Sequence, residues 1–208
     1  MTIDLEPSAP TLPEPAIGDH AADLLFRHAR TANTFTDEPV TDGEVRALYD
    51  LVKWAPTSMN TQPLRITLVR TPEARERLVR HLSAGNQAKT AAAPLVAVLT
   101  ADRSFHDRMP TLFPHFPGAR DMFLDDERRE ATAHFNAALQ VGYVILGVRA
   151  IGLAAGPMTG FDAQGLEQEL FPAGDRRVLA VVNIGHPGPD AFRDRLPRLD
   201  YDEVVDTI

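Results

Sequence analysis

One stretch of this chain stands apart by the side chains it gathers: Ala55-Pro56-Thr57-Ser58-Met59-Asn60-Thr61-Gln62-Pro63. Prolines stiffen it, and the hydroxyl and amide groups between them offer both donors and acceptors, the set needed to read the polar edge of a heteroaromatic ring. The same residue types also make an ordinary capped turn, so the residues alone leave both readings open. Other chemistries find less support. No Gly-x-Gly-x-x-Gly follows an apolar run and no Gly-x-x-x-x-Gly-Lys-Ser/Thr occurs, so a nucleotide has to be held in some other way. The seven histidines include no His-Glu-x-x-His, and His28 and His134 read as structural or exposed helix residues, which sets a catalytic zinc aside. Ser58, Ser83 and Ser104 lack the Gly-x-Ser-x-Gly context of an exposed nucleophile.

The elements that would position such a loop follow from periodicity and punctuation. Asp19 to about Arg30 reads as a first helix, with Ala21, Leu24, Leu25 and His28 on one face. Thr41 and Glu44 form a capping box for a second, with Val45, Leu48, Tyr49 and Val52 on its inner face and an end near Trp54, before Pro56. The polar loop leads from this helix into a strand, Arg65-Ile-Thr-Leu-Val-Arg70, after which Thr71-Pro72 starts a third helix. Leu95–Leu99 and Val178–Ile184 are nearly continuous apolar runs, as expected of strands covered on both faces. Between them, Arg129 to Ala150 reads as a long central helix with Phe135, Leu139, Tyr143, Leu146 and Ala150 as its apolar side.

These elements predict an α+β class, a mixed α/β sheet flanked by helices, without internal repeats. Residues 1–18, with Pro7, Pro10, Pro13 and Pro15, read as a flexible arm ahead of a single domain over 19–208. Residues 109–126 interrupt the pattern with three prolines and several aromatics; an active-site lid and a surface loop packed by its own phenylalanines are both open there.

The formal charge of -8 and the scatter of basic residues among acids argue against nucleic acid as a partner. The chain has no cysteine, which removes disulfides and thiolate metal sites and is compatible with a reducing compartment. No bare apolar run approaches the roughly 20 residues of a membrane span, and the start lacks a signal-peptide pattern. A cytoplasmic protein with no membrane partner is therefore expected.

With the elements laid out, Arg30-Thr31-Ala32-Asn33-Thr34-Phe35 resembles the Arg-Ser-x-Arg-x-Phe opening of nitroreductase-family flavoproteins, and Pro56–Pro63 resembles their Pro-Ser-Ser-x-Asn-x-Gln-Pro motif. Asn86 and Lys89 in Gly85-Asn-Gln-Ala-Lys89, then Gly156-Pro-Met-Thr-Gly-Phe-Asp162, then Arg195-Leu-Pro197 follow in the family's order. The resemblance covers about 20–208. It is closest to the malonic semialdehyde reductases of the pyrimidine-utilisation (Rut) pathway, through Lys53–Ser58, Leu112-Phe-Pro-His115, Gly156-Pro-Met158 and Arg195–Leu199.

The resemblance implies a nitroreductase-like, FMN-dependent fold and an intertwined homodimer with a flavin between protomers. Its phosphate would be held by Arg30, Thr31 and Arg195, guanidinium being suited to bidentate phosphate contact. Asn33 stands where many relatives carry a second basic residue and Ala29 replaces a frequent arginine, departures that imply either weaker FMN binding or compensation by Arg193. Asn86 and Lys89 would lie beside the ring, where an ammonium stabilises the charge that builds on reduction. Pro56, Thr57, Ser58 and Asn60 would reach the ring from the partner. Pro157, Met158, Thr159 and Gly160 would face the N5 edge, with Thr159 in place of a common glutamate.

The implied reaction passes a hydride from NADH or NADPH through FMN N5 to a small aldehyde, malonic semialdehyde giving 3-hydroxypropionate, in a ping-pong cycle with no dedicated acid or base. Arg65, Arg108, His115 and Arg120 are candidates to bind the substrate carboxylate, His115 and Arg120 first. A broad nitroaromatic or quinone reductase is the alternative within enzymes. A non-catalytic FMN-binding or storage protein and a cofactor-free interaction dimer are the alternatives outside them.

Overall fold

The chain's local signals become elements where their backbone hydrogen bonds can be closed, in a computed structural model that describes residues 14–208. Most of the expected N-terminal arm, Pro7, Pro10 and Pro13 included, lies outside the described residues. Helix α1 (Gly18–Ala22) runs into a π-helical turn, Asp23–Arg27, closed by the His28 N–H donating to the Asp23 carbonyl. The first helix therefore ends short of Arg30, and Leu24 and His28 face solvent instead of the core. Helix α2 (Asp42–Val52) has the expected box: Glu44 N–H donates to Thr41 Oγ1 at 3.2 Å, and Thr41 N–H to Glu44 Oε2 at 2.7 Å. It stops before Trp54; Leu48 and Val52 point inward, whereas Tyr49 points out.

Strand β1 (Leu64–Val69) is followed by α3 (Pro72–Val79), capped by Thr71, and by α4 (Ala84–Ala92). Then come β2 (Leu95–Asp102), α5 (Met109–Leu112) and the long α6 (Asp126–Ala150), capped by Asp125. Strand β3 (Ala154–Met158), α7 (Ala163–Leu170), β4 (Arg176–Gly185) and the short α8 (Tyr201–Val204) complete the described chain.

The four strands form one sheet in the order β1-β2-β4-β3, every pairing antiparallel, which bears out the α+β expectation. The two inner strands are the two runs read as doubly covered. On one face, Leu95, Ala97, Leu99 and Val182 pack with Leu48 and Val52 of α2 and Val144 and Val148 of α6. On the other, Val96, Val98 and Val181 pack with Leu78 of α3, Leu82 and Leu166 of α7. Gly147 marks where α2 and α6 cross: a Cβ there would lie 2.4 Å from Val52 Cγ1 and 2.8 Å from Leu48 Cδ1.

Helix α6 is central, but not by the side its large apolar residues suggest. Its buried side consists of Ala133, Asn136, Ala137, Gln140, Val144, Gly147 and Val148. Phe135, Leu139 and Tyr143 are 65%, 44% and 41% exposed, and Ala150 is also exposed. The helix is long and apolar enough to cross a membrane by length and composition, yet its small residues are packed on the sheet as those of a core helix are.

The insertion over 109–126 has an interior of its own. Phe105, Met109, Ala119 and Phe123 are buried with Ala133 and Ala137 of α6, and Met59 from the polar loop packs against them. Its tip, Pro114-His115-Phe116, is exposed. Past β4 a turn at Pro189-Asp190 and the buried Ala191 lead into a segment, 192–200, that lies on the surface without helix or strand.

Candidate functional site

The C-terminal end of the first helical segment gathers cations from both ends of the chain. Arg30 Nη1 donates to the Ala29 carbonyl at 3.1 Å, and Arg195 Nη2 donates to the same oxygen at 3.1 Å and also to the Arg27 carbonyl. Burial, with Arg30 and Arg198 nearby, lowers the pKa of Arg195. Two guanidinium groups turned to one carbonyl repel each other, and an anion between them would offset that repulsion. Asn33 is close by, its N–H on the Ala191 carbonyl and its Nδ2 on the Thr31 carbonyl, while Thr31 and Arg193 are exposed.

Beyond this cationic corner two separate clefts border β3. A cleft of about 220 Å³, lined by Ala29, Arg30, Arg149, Ala154 and Ala155, opens at the strand's start. A second, of about 320 Å³, lies at its end between Pro157, Met158, Thr159 and the His134, Ala138, Val141 and Ile145 side of α6. A strand advances about 3.3 Å per residue, so Ala155 and Met158 are roughly 10 Å apart. Both clefts are lined mainly by apolar side chains, and the first also has the Arg30 and Arg149 guanidinium groups on its wall.

The backbone comes unusually close here. A Cβ at Gly156 would meet the Ala32 carbonyl at 2.6 Å, and one at Gly160 would meet Asn86 Nδ2 at 2.8 Å. Asn86 Nδ2 and Ser83 N–H both donate to the Gly160 carbonyl at 3.0 Å, tying α4 to the segment after β3. Lys89, one turn further along α4, is half-buried and has no ion pair among the described residues.

The Pro56–Pro63 loop is elsewhere in the same chain. It packs on the other flank of α6, where Ser58 N–H donates to Asn136 Oδ1 at 2.7 Å and Leu64 N–H to Gln140 Oε1 at 3.0 Å. Inside it, Gln62 N–H donates to Thr57 Oγ1, and Asn60 Nδ2 reaches the Leu112 carbonyl of α5 at 2.9 Å. At 100° per residue, positions 136 and 140 and positions 134, 138, 141 and 145 lie on opposite flanks of α6, with the exposed Phe135, Leu139 and Tyr143 between them on the solvent side. One chain thus joins Arg30 with Arg195 near the start of β3 and Asn86 with Gly160 past its end, and packs Pro56–Asn60 on the other flank of α6. Asn136 and Gln140 escape sequence reasoning that looks for apolar stripes. Their signal is two amides one turn apart on the side of a helix that is otherwise small and apolar.

The four candidate carboxylate partners differ in freedom. Arg65 is committed, with Nη2 2.5 Å from Asp102 Oδ2 and Nη1 on the Gln62 and Leu64 carbonyls. Arg120 is 3.0 Å from Asp107. His115 is exposed and stacks against Phe113 at 3.9 Å between ring centroids. Arg108 is exposed, with no ion pair among the described residues. Behind them His106 is nearly buried, and that burial lowers its pKa, which keeps it neutral near pH 7.

A layered α+β scaffold with two arginines converging beside a mainly apolar cleft at an edge strand defines a class, a protein suited to a ligand that carries an anionic group. Comparison with known proteins makes this specific. The nitroreductase family model matches residues 27–186. A protein of Streptomyces coelicolor, provisionally named NADH dehydrogenase/NAD(P)H nitroreductase, is 64% identical over 189 residues, covering 90% of this chain and 96% of its own. A crystal structure from Exiguobacterium sibiricum, provisionally described as a nitroreductase in complex with FMN, superposes with a TM-score of 0.79 at 16% identity, covering 89% of this chain and 96% of that one. The NADPH:FMN oxidoreductase of Vibrio harveyi, solved with NAD+, gives 0.72 at 23% identity, over 91% and 77% of the two chains. The chain belongs to the nitroreductase family, and so to the flavin-type oxidoreductases.

Proposed function

We propose that this protein is an FMN-dependent NAD(P)H oxidoreductase that works as a homodimer and reduces a small aldehyde. The observation that carries the reading is the convergence of Arg30 and Arg195 on the Ala29 carbonyl, beside the cleft at the start of β3. That donor set suits a ribityl phosphate, and the apolar cleft by Pro157–Thr159 suits a flat ring system, so the residues present fit FMN. Thr31 and Asn33 would complete the phosphate end, with Arg193 supplying the charge that Asn33 lacks. Asn86, Lys89 and the backbone of Met158–Gly160 would meet the ring, and Lys89 would stabilise the negative charge of its reduced form. Bound FMN supplies a two-electron relay: NADH or NADPH gives up a hydride, the aldehyde carbon gains one, and a solvent proton completes the alcohol.

The dimer is supported by the exposed face of α6. A second copy seated on Phe135, Leu139 and Tyr143 about a two-fold axis would bury that stripe. It would also bring the Pro56–Asn60 loop of one protomer across to the clefts along β3 of the other, which one chain alone does not do. The role of both copies is then to exclude water from the ring and hold the acceptor carbon at about 3 to 3.5 Å from the atom that gives up the hydride.

For the acceptor we propose malonic semialdehyde, reduced to 3-hydroxypropionate. Arg108 and His115, exposed in the insertion beside the loop, are the cations that remain to bind its carboxylate, and Arg120 would have to leave Asp107 to do so. The second reading, a broad nitroaromatic or quinone reductase, is favoured by the names of the Streptomyces relatives. An anaerobic absorbance titration with NADH and NADPH of protein reconstituted with FMN, followed by malonic semialdehyde, decides. Bleaching reversed by the aldehyde is the expected result. Reversal by quinones or nitroaromatics alone establishes the second reading, and absence of FMN uptake overturns both.

A further inference from the structure

We propose that Asn136, seconded by Gln140, is a positioning residue: from within α6 it holds the 57–64 turn in the shape that meets the flavin ring. This rests on the flavin reading above. The turn does not hold itself. Met59, Asn60 and Gln62 have φ of +51°, +54° and +42°, three non-glycine residues in a disfavoured left-handed conformation within four positions. Such a conformation persists only when its surroundings over-determine it.

Met59 packs on the cluster of Phe105 and Phe123, Asn60 Nδ2 donates to the Leu112 carbonyl, and α6 supplies two amides. Asn136 is 2% exposed, and its orientation is set by Nδ2 donating to the Thr132 carbonyl at 2.9 Å, which leaves Oδ1 facing the Ser58 N–H at 2.7 Å. A flipped amide would turn its NH2 toward that N–H, so the assignment is not free. Gln140, about 6 Å further along the helix axis, accepts from Leu64 N–H at 3.0 Å. One acceptor thus grips each end of the turn, and Thr57 Oγ1 and the Asn60–Gln62 side-chain bond brace its middle. These two are the buried polar side chains of α6, and each is spent on a backbone N–H of this turn. A purely structural helix face would carry alanine or leucine there.

The arrangement makes flavin affinity depend on a residue that does not touch the flavin. Without the tether the competent turn is a minor conformer, and apparent affinity falls by its population. Three variants test this: Asn136→Leu, which removes the acceptor; Asn136→Asp, which keeps it; and Gln140→Leu. The readouts are amide hydrogen exchange of the protein without FMN, and the FMN dissociation constant from fluorescence quenching.

Asn136→Leu is expected to speed exchange at Ser58 and to weaken FMN, each by about three- to tenfold, the order expected for losing one part-buried hydrogen bond, with β2 and β4 amides unchanged. Asn136→Asp should restore slow exchange at Ser58 and most of the affinity. If Asn136→Leu does not fold, Gln140→Leu carries the test, with faster exchange at Leu64 and weaker FMN. Wild-type affinity in a folded Asn136→Leu or Gln140→Leu protein overturns the positioning role while leaving the flavoprotein reading intact. A wild-type protein that takes up no FMN overturns the flavoprotein reading itself, whatever Ser58 does.

Discussion

Replacing Arg30 by glutamine separates a phosphate grip from a structural cation. In the protein without ligand, Arg30 donates only to nearby carbonyls, Ala29 at 3.1 Å and Arg27 at 3.4 Å, and Arg195 already occupies both oxygens from the other side. Its removal strands no buried group and relieves the repulsion between the two guanidinium ions. The stability of the ligand-free protein should therefore change by no more than about 0.5 kcal/mol, the range of an uncommitted surface position. Toward a phosphate the same side chain offers charge-assisted hydrogen bonds worth about 1.5–3 kcal/mol. That corresponds to roughly 10- to 150-fold in affinity.

The assay is paired fluorescence quenching titration with FMN and with riboflavin, which differ only in the phosphate. Arg30→Gln should lose its factor for FMN and keep riboflavin binding within about twofold, since no ring contact is touched. The FMN dependence on salt should fall in parallel, because one of the screened charges is gone. Equal losses for FMN and riboflavin would place Arg30 at the ring or in the scaffold and refute the phosphate assignment. A melting temperature several degrees lower without ligand would do the same.

Four further outcomes follow from the geometry. Leu139→Arg, in the middle of the exposed α6 stripe, should give a folded monomer by sedimentation with FMN binding reduced in step; a dimer with normal flavin content would refute the composite site. Gly147→Ala drives a methyl into Val52 and Leu48 and should cost about 1–3 kcal/mol in urea unfolding at unchanged m-value. Glu44 is held below the usual glutamate range by the Thr41 N–H and hydroxyl. Because that pKa is lower folded than unfolded, the stabilisation is complete above about pH 4.3 and lost as pH falls through the folded value. The stability gap between wild type and Glu44→Gln should close in that acid window. Arg108→Ala should raise KM for malonic semialdehyde by about tenfold or more while leaving a neutral quinone unaffected, and equal effects would remove the carboxylate partner.

What was legible in the sequence was what neighbours in the chain decide between themselves. The Thr41/Glu44 box and the Thr71-Pro72 start are local contests for a few N–H groups, and both stand where expected. The inner strands β2 and β4 were legible because burial on both faces leaves an unbroken apolar run. Strand β3 was not: Ala154-Ala-Gly-Pro-Met has no β-branched residue, and its proline is tolerated because β3 lies at the sheet's edge. The site was half legible. Arg30 and Arg195 are 165 positions apart, and only the resemblance to a family joined them ahead of the structure. Among the carboxylate candidates, Arg65 could not be discounted from sequence, since its partner Asp102 sits across a strand pairing.

Helix α6 shows why the hydrophobic period misleads at such a site. The largest apolar residues, Phe135, Leu139 and Tyr143, mark a regular stripe, and a stripe of that kind normally faces the core. Here the core side is built from Ala133, Ala137, Val144, Gly147 and Val148, because the sheet and α2 come too close for larger groups. The bulky stripe is free to meet a second copy. One flank, with Asn136 and Gln140, anchors a strained turn, and the opposite flank, with His134, Ala138, Val141 and Ile145, lines the cleft by Pro157. A helix used on every side has no single apolar phase. The two buried amides, not the apolar residues, report which way it is turned, since an Asn and a Gln survive in that setting only where backbone N–H groups wait for them.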